Sequence, residues 1–131
     1  MRVIQCRKEE IVEYNFENDR PIYIQIVEKI RTQIVAGTLM QGQRLLSVRE
    51  LALEYRVNPN TMQKALAELE EEGLVFTERT NGKFVTEDKK LIQKVKKELA
   101  KEKVTKYINE MNDIGIVYAE AIKYLQEFGG K

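Results

Sequence analysis

Histidine is absent from this sequence, and cysteine occurs once, as Cys6. One cysteine cannot form an internal disulfide, and the usual zinc sites need several cysteine or histidine ligands. The chain also lacks a glycine-rich phosphate loop and the residue context of an activated serine or cysteine. Its carboxylates fall on helix surfaces among basic residues. We therefore expect no metal, no cofactor and no enzymatic activity.

Long apolar runs are missing as well. No run approaches the roughly 18 residues that a membrane-spanning helix needs, and the first ten residues lack the apolar region of a secretory signal. We expect a cytoplasmic protein without a membrane partner. A chain of 131 residues with 43% hydrophobic content can bury one modest core, together with an extension too small to fold alone.

Charge is nearly balanced, with 22 basic and 21 acidic residues, so the net charge does not indicate nucleic-acid binding. The distribution is more informative. Basic residues outnumber acidic ones between residues 43 and 64, where the acidic residues are Glu50 and Glu54, and in the wing, where the acidic residue is Glu78. Acidic residues follow one another near position 70. The basic set is Arg44, Arg49, Arg56, Lys64, Arg79 and Lys83; the acidic run is Glu68, Glu70, Glu71 and Glu72. Acidic residues near a helix C-terminus cost about a few tenths of a kcal/mol each, so this run needs another reason.

Residues 47 to 73 carry two helix starts so close together that only a tight turn fits between them. Ser47 and Glu50 form a capping box that begins a first helix at Val48, and Leu46 and Leu51 are placed as a hydrophobic staple. The apolar stripe of this short helix is Leu51, Ala52 and Tyr55. The segment has the outline of a helix-turn-helix.

The second helix is predicted to begin after Asn58, a good N-cap, with Pro59 in its first turn, and to end at Gly73. One face is apolar and the other is polar, with amide side chains near the N-terminus. The apolar face comprises Met62, Ala65, Leu66 and Leu69; the outward face comprises Asn60, Gln63, Lys64 and Ala67. The outward face suits a DNA major groove, where Asn and Gln bond adenine edges, and a solvated helix face is the alternative.

Two strand-like runs follow, Leu74 to Arg79 and Lys83 to Thr86, joined by a turn that contains Asn81-Gly82. An earlier helix opens at Pro21 and closes at Gly37, with its apolar side facing the core. Tyr23 and Gln25 near its start are candidate phosphate contacts, with packing the alternative for Tyr23. Residues 38 to 46 form a connector with a turn at Gly42 and with Leu39 and Leu45 pointing inward. Helix, turn, helix and hairpin together predict a winged helix.

Residues 21 to 86 resemble the DNA-binding domain of the GntR family of bacterial transcription regulators. The resemblance is carried by PIYIQIVEKIRTQIVAGTL, by LLSVRELALEYRVNPNTMQKALAELEEEGLV and by ERTNGKFV. The family usually has proline in place of Leu46 and often a more basic, glycine-rich wing tip. The resemblance implies DNA contacts by Arg49 in the first helix, by Asn58, Asn60, Thr61, Gln63 and Lys64 in the second, and by Gly82 and Lys83 in the wing.

The C-terminal third changes character. Residues 89 to 106 hold eight lysines threaded by apolar residues, which predicts a basic amphipathic helix, and a break near Gly115 precedes a last helix. The lysine face is interpreted as the solvated side of a dimerisation helix, with phosphate contact and membrane-surface binding as alternatives. The predicted dimerisation residues are Leu91, Val95, Leu99, Ile108, Met111, Tyr118, Ile122 and Leu125. The short tail is similar to the YtrA-like branch of the family, in which two such helices serve dimerisation.

The sequence thus predicts a mainly α protein with a small β-hairpin. An N-terminal segment with a strand at residues 11 to 17 occupies residues 1–19, a winged helix-turn-helix residues 20–87, and a helical dimerisation region residues 88–131. We expect a homodimeric repressor that binds double-stranded DNA at an inverted repeat. A winged helix that docks on protein is the alternative. The operator, the regulated genes and any small-molecule effector stay open.

Overall fold

The computed structural model describes residues 16–130. Within that range the chain forms five helices and one two-stranded antiparallel sheet. The elements are α1 (Ile22–Ala36), α2 (Val48–Tyr55), α3 (Pro59–Glu71), β1 (Val75–Glu78), β2 (Gly82–Val85), α4 (Lys89–Asp113) and α5 (Tyr118–Phe128). The chain divides into a first compact unit that ends at Gln93 and a second that begins at Lys94.

The predicted N-terminal segment lies largely outside this range. Cys6 and nearly all of the strand predicted at residues 11 to 17 lie outside the described residues, and Phe16 and Glu17 have no regular secondary structure. None of the helices that the structure describes is long and apolar enough to cross a membrane.

Helix α1 begins and ends where the sequence predicts. Pro21 is its N-cap, and Gly37 ends it in the left-handed conformation. Ile26, Ile30 and Ile34 are buried against the rest of the first unit. Gln25, however, is also buried, and its side-chain NH2 donates to the backbone carbonyls of Glu17 and Arg20. The prediction that Gln25 contacts phosphate was therefore wrong, because this amide is used to hold the chain that leads into α1.

Helices α2 and α3 form the predicted helix-turn-helix. Both halves of the capping box at Ser47 and Glu50 are present, and the Asn58 side chain caps α3. The turn passes through Arg56, which has a left-handed backbone with φ of 59° and ends α2. Such a conformation is uncommon outside glycine and asparagine, and it allows α3 to start three residues later. The predicted apolar faces are confirmed as the core: Leu51, Ala52, Tyr55, Met62, Ala65, Leu66 and Leu69 are all buried.

The wing is a hairpin whose register pairs Val75 with Val85 and Glu78 with Gly82. The connector before α2 also pairs with β2 through an isolated bridge, which the sequence did not predict. Arg44 forms an antiparallel bridge with Phe84, and the Leu45 amide donates to the Lys83 carbonyl at 2.8 Å. The inward placement of Leu39 and Leu45 is confirmed, and the connector is therefore fixed to the base of the wing.

The second unit consists of the rest of α4 together with α5. The basic helix continues without a break to Asp113, and the predicted break follows at Gly115, whose φ is +86°. The Tyr107 hydroxyl donates to the Ala121 carbonyl of α5 at 2.7 Å. Between residues 94 and 130, Ala121 is the single fully buried residue, so these helices have little core of their own.

Candidate nucleic-acid interface

The outward face of α3 is exposed as predicted. Asn60, Gln63 and Ala67 are exposed, and Thr61 is half-buried beside them. The opposite face is fully buried, with Met62, Ala65, Leu66 and Leu69 each 0% exposed. Since the buried face fixes the rotation of α3 about its axis, the polar face is presented as a rigid surface.

Asn58 has a structural duty as well as its predicted DNA contact. Its side-chain oxygen accepts a hydrogen bond from the Asn60 amide at 2.7 Å, which is the helix cap. The residue is exposed, so its side-chain NH2 group can still donate to a base or phosphate. As a cap, Asn58 also fixes the N-terminal turn that carries Asn60 and Thr61.

Lys64 lies at the edge of this surface and contacts α1. Its ammonium is 4.1 Å from the centroid of the Tyr23 ring, in a cation–π interaction worth about 0.5–1 kcal/mol at an exposed site. Tyr23 is half-buried, which agrees with the alternative that it packs against the core. The contact holds the Lys64 charge beside the N-terminal end of α1.

Arg49 is exposed in the first turn of α2. The capping box directly before it fixes this turn, because Ser47 Oγ accepts from the Glu50 amide and the Glu50 carboxylate accepts from the Ser47 amide. The Ser47 amide is the main cause of a lowered pKa of Glu50, and Arg44 adds to it. The acidic side chain next to Arg49 is therefore already engaged.

The two residues predicted at the wing are Gly82 and Lys83. Successive residues of a strand face opposite sides of the sheet, so Gly82 faces one side of the hairpin and the Lys83 side chain the other. On the outer side, a Cβ at Gly82 would lie 3.4 Å from Arg44 Nε, so the Arg44 guanidinium covers the Gly82 backbone. On the inner side, Lys83 Nζ is 2.6 Å from Glu70 Oε2.

Arg44 is a candidate interface residue that the sequence analysis counted as basic but did not assign to the site. Its side chain is exposed, and it lies between Gly82 of the wing and the first turn of α2. The sequence contained a partial indication, because Arg44 lies two residues after the predicted turn at Gly42 and is one of the basic residues near the helix-turn-helix. Its place beside the wing follows only from the pairing of the connector with β2.

The acidic run at the end of α3 is partly explained by ion pairs. Glu72 accepts two hydrogen bonds from the Arg31 guanidinium of α1, at 2.5 and 3.1 Å, and Glu70 pairs with Lys83. These carboxylates tie α1 and the wing to α3. Two of the four glutamates thus have partners that offset the unfavourable position at a helix C-terminus.

The residues predicted for dimerisation fall into three groups. Leu91 packs within the first unit, where its Cδ2 would be 3.1 Å from a Cβ at Gly73. On α5, Tyr118, Ile122 and Leu125 are 64%, 36% and 49% exposed. The remaining four are half-buried, and one of them lines an apolar cavity of about 400 Å³ between α4 and α5. They are Val95, Leu99, Ile108 and Met111, of which Met111, like Leu125, lines the cavity.

Comparison with known proteins identifies the same domain. The sequence model described as "Bacterial regulatory proteins, gntR family" matches residues 22–85. The chain is 34% identical over 113 residues to the uncharacterized HTH-type transcriptional regulator YhcF of Bacillus subtilis, covering 86% of this chain and 93% of YhcF. It is 31% identical to the HTH-type transcriptional repressor YtrA of the same organism, covering 92% of this chain and 98% of YtrA.

A solved structure agrees along most of the chain. A GntR family transcriptional regulator from Listeria monocytogenes is 45% identical, with a TM-score of 0.79, and the match covers 86% of this chain and 98% of that one. The similarity to these proteins therefore extends beyond the winged helix into the C-terminal helices.

Proposed function

This chain belongs to the gntR family of bacterial DNA-binding transcriptional regulators, and we propose that it is a homodimeric repressor whose two α3 helices read an inverted-repeat operator. Binding at a promoter would repress transcription by excluding the polymerase. The name of its relative YtrA, a transcriptional repressor, favours this direction of control.

The observation that carries the DNA-reading part of the proposal is the outward face of α3. Asn60 and Gln63 are exposed on a helix whose opposite face is fully buried. Asn and Gln form paired hydrogen bonds with adenine in the major groove, and the exposed Ala67 allows close approach of the helix. Arg49 and Arg44 add positive charge beside this face, where phosphates or a guanine would lie.

The dimer is supported by the second unit. A peptide of fewer than about 40 residues seldom buries enough surface to be stable without a partner, and here Ala121 alone is fully buried between residues 94 and 130. Tyr118, Ile122 and Leu125 recur at helical spacing on one exposed side of α5. A second copy of the chain offers the same surface, and a two-fold dimer would match two half-sites of an operator.

The decisive experiment is selection of bound duplexes from a random DNA pool by the full chain, at about 0.15 M salt, where nonspecific phosphate binding is reduced. We expect enrichment of an inverted repeat whose half-sites lie about one helical turn or a multiple apart. If a folded protein enriches no sequence, the proposal fails and a protein-docking role for the winged helix takes its place. Enrichment of a single half-site would contradict the dimer alone.

Arg49 provides the residue-level test. Arg49→Ala should weaken operator binding by about 1–3 kcal/mol and leave the thermal unfolding unchanged, because the side chain is exposed. Arg49→Lys separates two roles, since lysine keeps the charge but not the paired donors of a guanidinium. A bidentate base contact loses affinity in both variants, whereas a phosphate contact is largely kept in Arg49→Lys. Unchanged affinity in Arg49→Ala would remove this residue from the interface.

The dimer is tested by sedimentation of Ile122→Ser beside Lys123→Ser. Lys123 is the next residue along α5 and lies about 100° around the helix, so it is a matched control. We expect the wild type and Lys123→Ser to sediment as dimers and Ile122→Ser to dissociate, with helical content retained. Dissociation of both variants, or of neither, would contradict an interface on this side of α5.

A further inference from the structure

Lys83 lies in a compact polar cluster between the wing and the C-terminal half of α3. Its ammonium donates to Glu70 Oε2 at 2.6 Å and to Thr77 Oγ1 at 2.9 Å, and the Thr77 hydroxyl donates to the same carboxylate oxygen. The side chains of Lys83 and Glu70 are 23% and 32% exposed. Burial raises the pKa of Glu70, but the hydrogen bonds from Lys83 and Thr77 outweigh it, so the pKa is below its ordinary value.

The strand register explains why Lys83 points toward α3. Lys83 is the cross-strand partner of Thr77, and the next pair on the same side of the hairpin, Val75 and Val85, is buried. That side of the hairpin therefore faces α3. The other side carries the stacked rings of Phe76 and Phe84, with centroids 5.6 Å apart. A lysine that contacts DNA directly would have to leave its two partners on the inner side.

We propose that Lys83 is a positioning residue, which clamps the wing to α3 through Glu70 so that the wing tip meets the DNA in register with the α3 side chains. The inference rests on the proposed DNA-binding function. In this proposal Arg44, which covers the outer side of Gly82, is the basic residue at the wing that contacts DNA. A hairpin with strands of four residues is only marginally stable by itself, so the contact between Lys83 and Glu70 strongly affects the position of the wing tip.

Glu70→Gln is the sharpest test, because the clamp and a direct contact predict opposite signs. If Lys83 binds phosphate, removing the Glu70 charge frees the lysine and operator binding becomes tighter. If Lys83 is a clamp, Glu70→Gln weakens operator binding by about two- to fivefold, the range of a partly exposed ion pair. Glu71→Gln removes the same charge from an exposed neighbour on α3 and should not weaken binding.

Lys83→Met keeps most of the side chain and removes the charge. The clamp predicts the same loss as Glu70→Gln, no further loss in the double variant, and an unchanged salt dependence. A phosphate contact predicts that the slope of log K against log salt becomes shallower by about 0.9. Exchanging the charges, as Glu70→Lys with Lys83→Glu, should recover binding relative to Lys83→Glu alone. Tighter binding by Glu70→Gln together with a shallower slope for Lys83→Met would overturn the proposal.

A measurement without DNA separates this inference from the proposed function. In the free protein, Glu70→Gln and Lys83→Met should each raise amide hydrogen exchange in β1 and β2 by about two- to fivefold, while Glu71→Gln should not. Unchanged exchange in the hairpin would refute the clamp even if the operator is found. Raised exchange with no enriched DNA sequence would support the clamp and refute the operator.

Discussion

The two units use the same kind of apolar periodicity and obtain different degrees of burial. In α3, Met62, Leu66 and Leu69 are fully buried by α1, α2 and the hairpin. In α5, Tyr118, Ile122 and Leu125 have the same helical spacing and remain exposed by a third to two thirds. A periodic apolar stripe therefore identifies a helix face that packs against another surface. It does not specify whether that surface belongs to the same chain.

The difference also appears in how the helices begin. In the first unit, α2 starts with a complete capping box and α3 with an asparagine cap. In the second, α5 starts at Val117 without a side-chain cap, and its link to α4 includes the hydrogen bond from Tyr107 to Ala121. The starts of α2 and α3 are therefore specified by local side-chain caps, whereas the start of α5 is not.

The largest expected effect comes from a core leucine. Leu66→Ala should lower the free energy of unfolding by about 2–5 kcal/mol, because a fully buried side chain leaves a cavity. Tyr118→Ala, measured in dilute solution, should change it by no more than about 0.5 kcal/mol, because this side chain is 64% exposed and lies outside the α4–α5 cavity. Urea unfolding of both variants measures the contrast. Equal costs in the dilute protein would mean that α5 is covered by its own chain.

A smaller effect is expected from Tyr107→Phe. The variant removes the hydroxyl that donates to the Ala121 carbonyl and should weaken the association of α4 with α5 by about 0.5–1.5 kcal/mol. Amide exchange should rise in α5 and stay constant in α1 to α3. A rise throughout the chain would show that the two units unfold together, which would contradict the distinction drawn above.

The smallest effect concerns pH and the capping box. The pKa of Glu50 lies below its ordinary value of 4.5 in the folded protein, mainly because its carboxylate accepts from the Ser47 amide. A lowered pKa adds stability that is present above pH 4.5 and is lost as the pH falls through the folded-state pKa.

Glu50→Gln should therefore be less stable than the wild type at neutral pH and should lose less stability on acidification. The urea midpoint measured at neutral pH and again below pH 4 gives this difference. Glu71→Gln, on the exposed side of α3, removes a carboxylate outside any cap and is the control. The same acid response in wild type and Glu50→Gln would show that the Glu50 charge adds no measurable stability to the capping box.

Much of the fold could be predicted because its signals are local. Ser47 with Glu50, Asn58 with Pro59, Gly37 and Asn81-Gly82 each identify a helix end or turn from neighbouring residues alone. The helical spacing of Met62, Leu66 and Leu69 identified the buried face of α3, and with it the exposed polar face.

The parts that were not predicted depend on contacts that helix caps, turns and apolar spacing do not specify. Gln25 reads as a polar residue near a helix start, yet the backbone of Glu17 and Arg20 takes up its amide. Arg44 reads as part of a loop, yet it pairs with Phe84 and covers Gly82. The partners of Gln25 lie only eight and five residues earlier, yet neither this pairing nor that of Arg44 follows from a local cap, turn or spacing.

The sequence by itself determined where α1, α3 and the hairpin begin and end, where α2 begins, which side of α3 is buried, and which family the chain resembles, because caps, turns and apolar spacing act over a few residues. Tertiary structure decided which groups the charged side chains contact. It placed Lys83 against Glu70, Arg31 against Glu72 and Arg44 over Gly82. Those pairs form only after strands and helices distant in sequence have packed, since a charged side chain can take any partner that the fold brings within its reach.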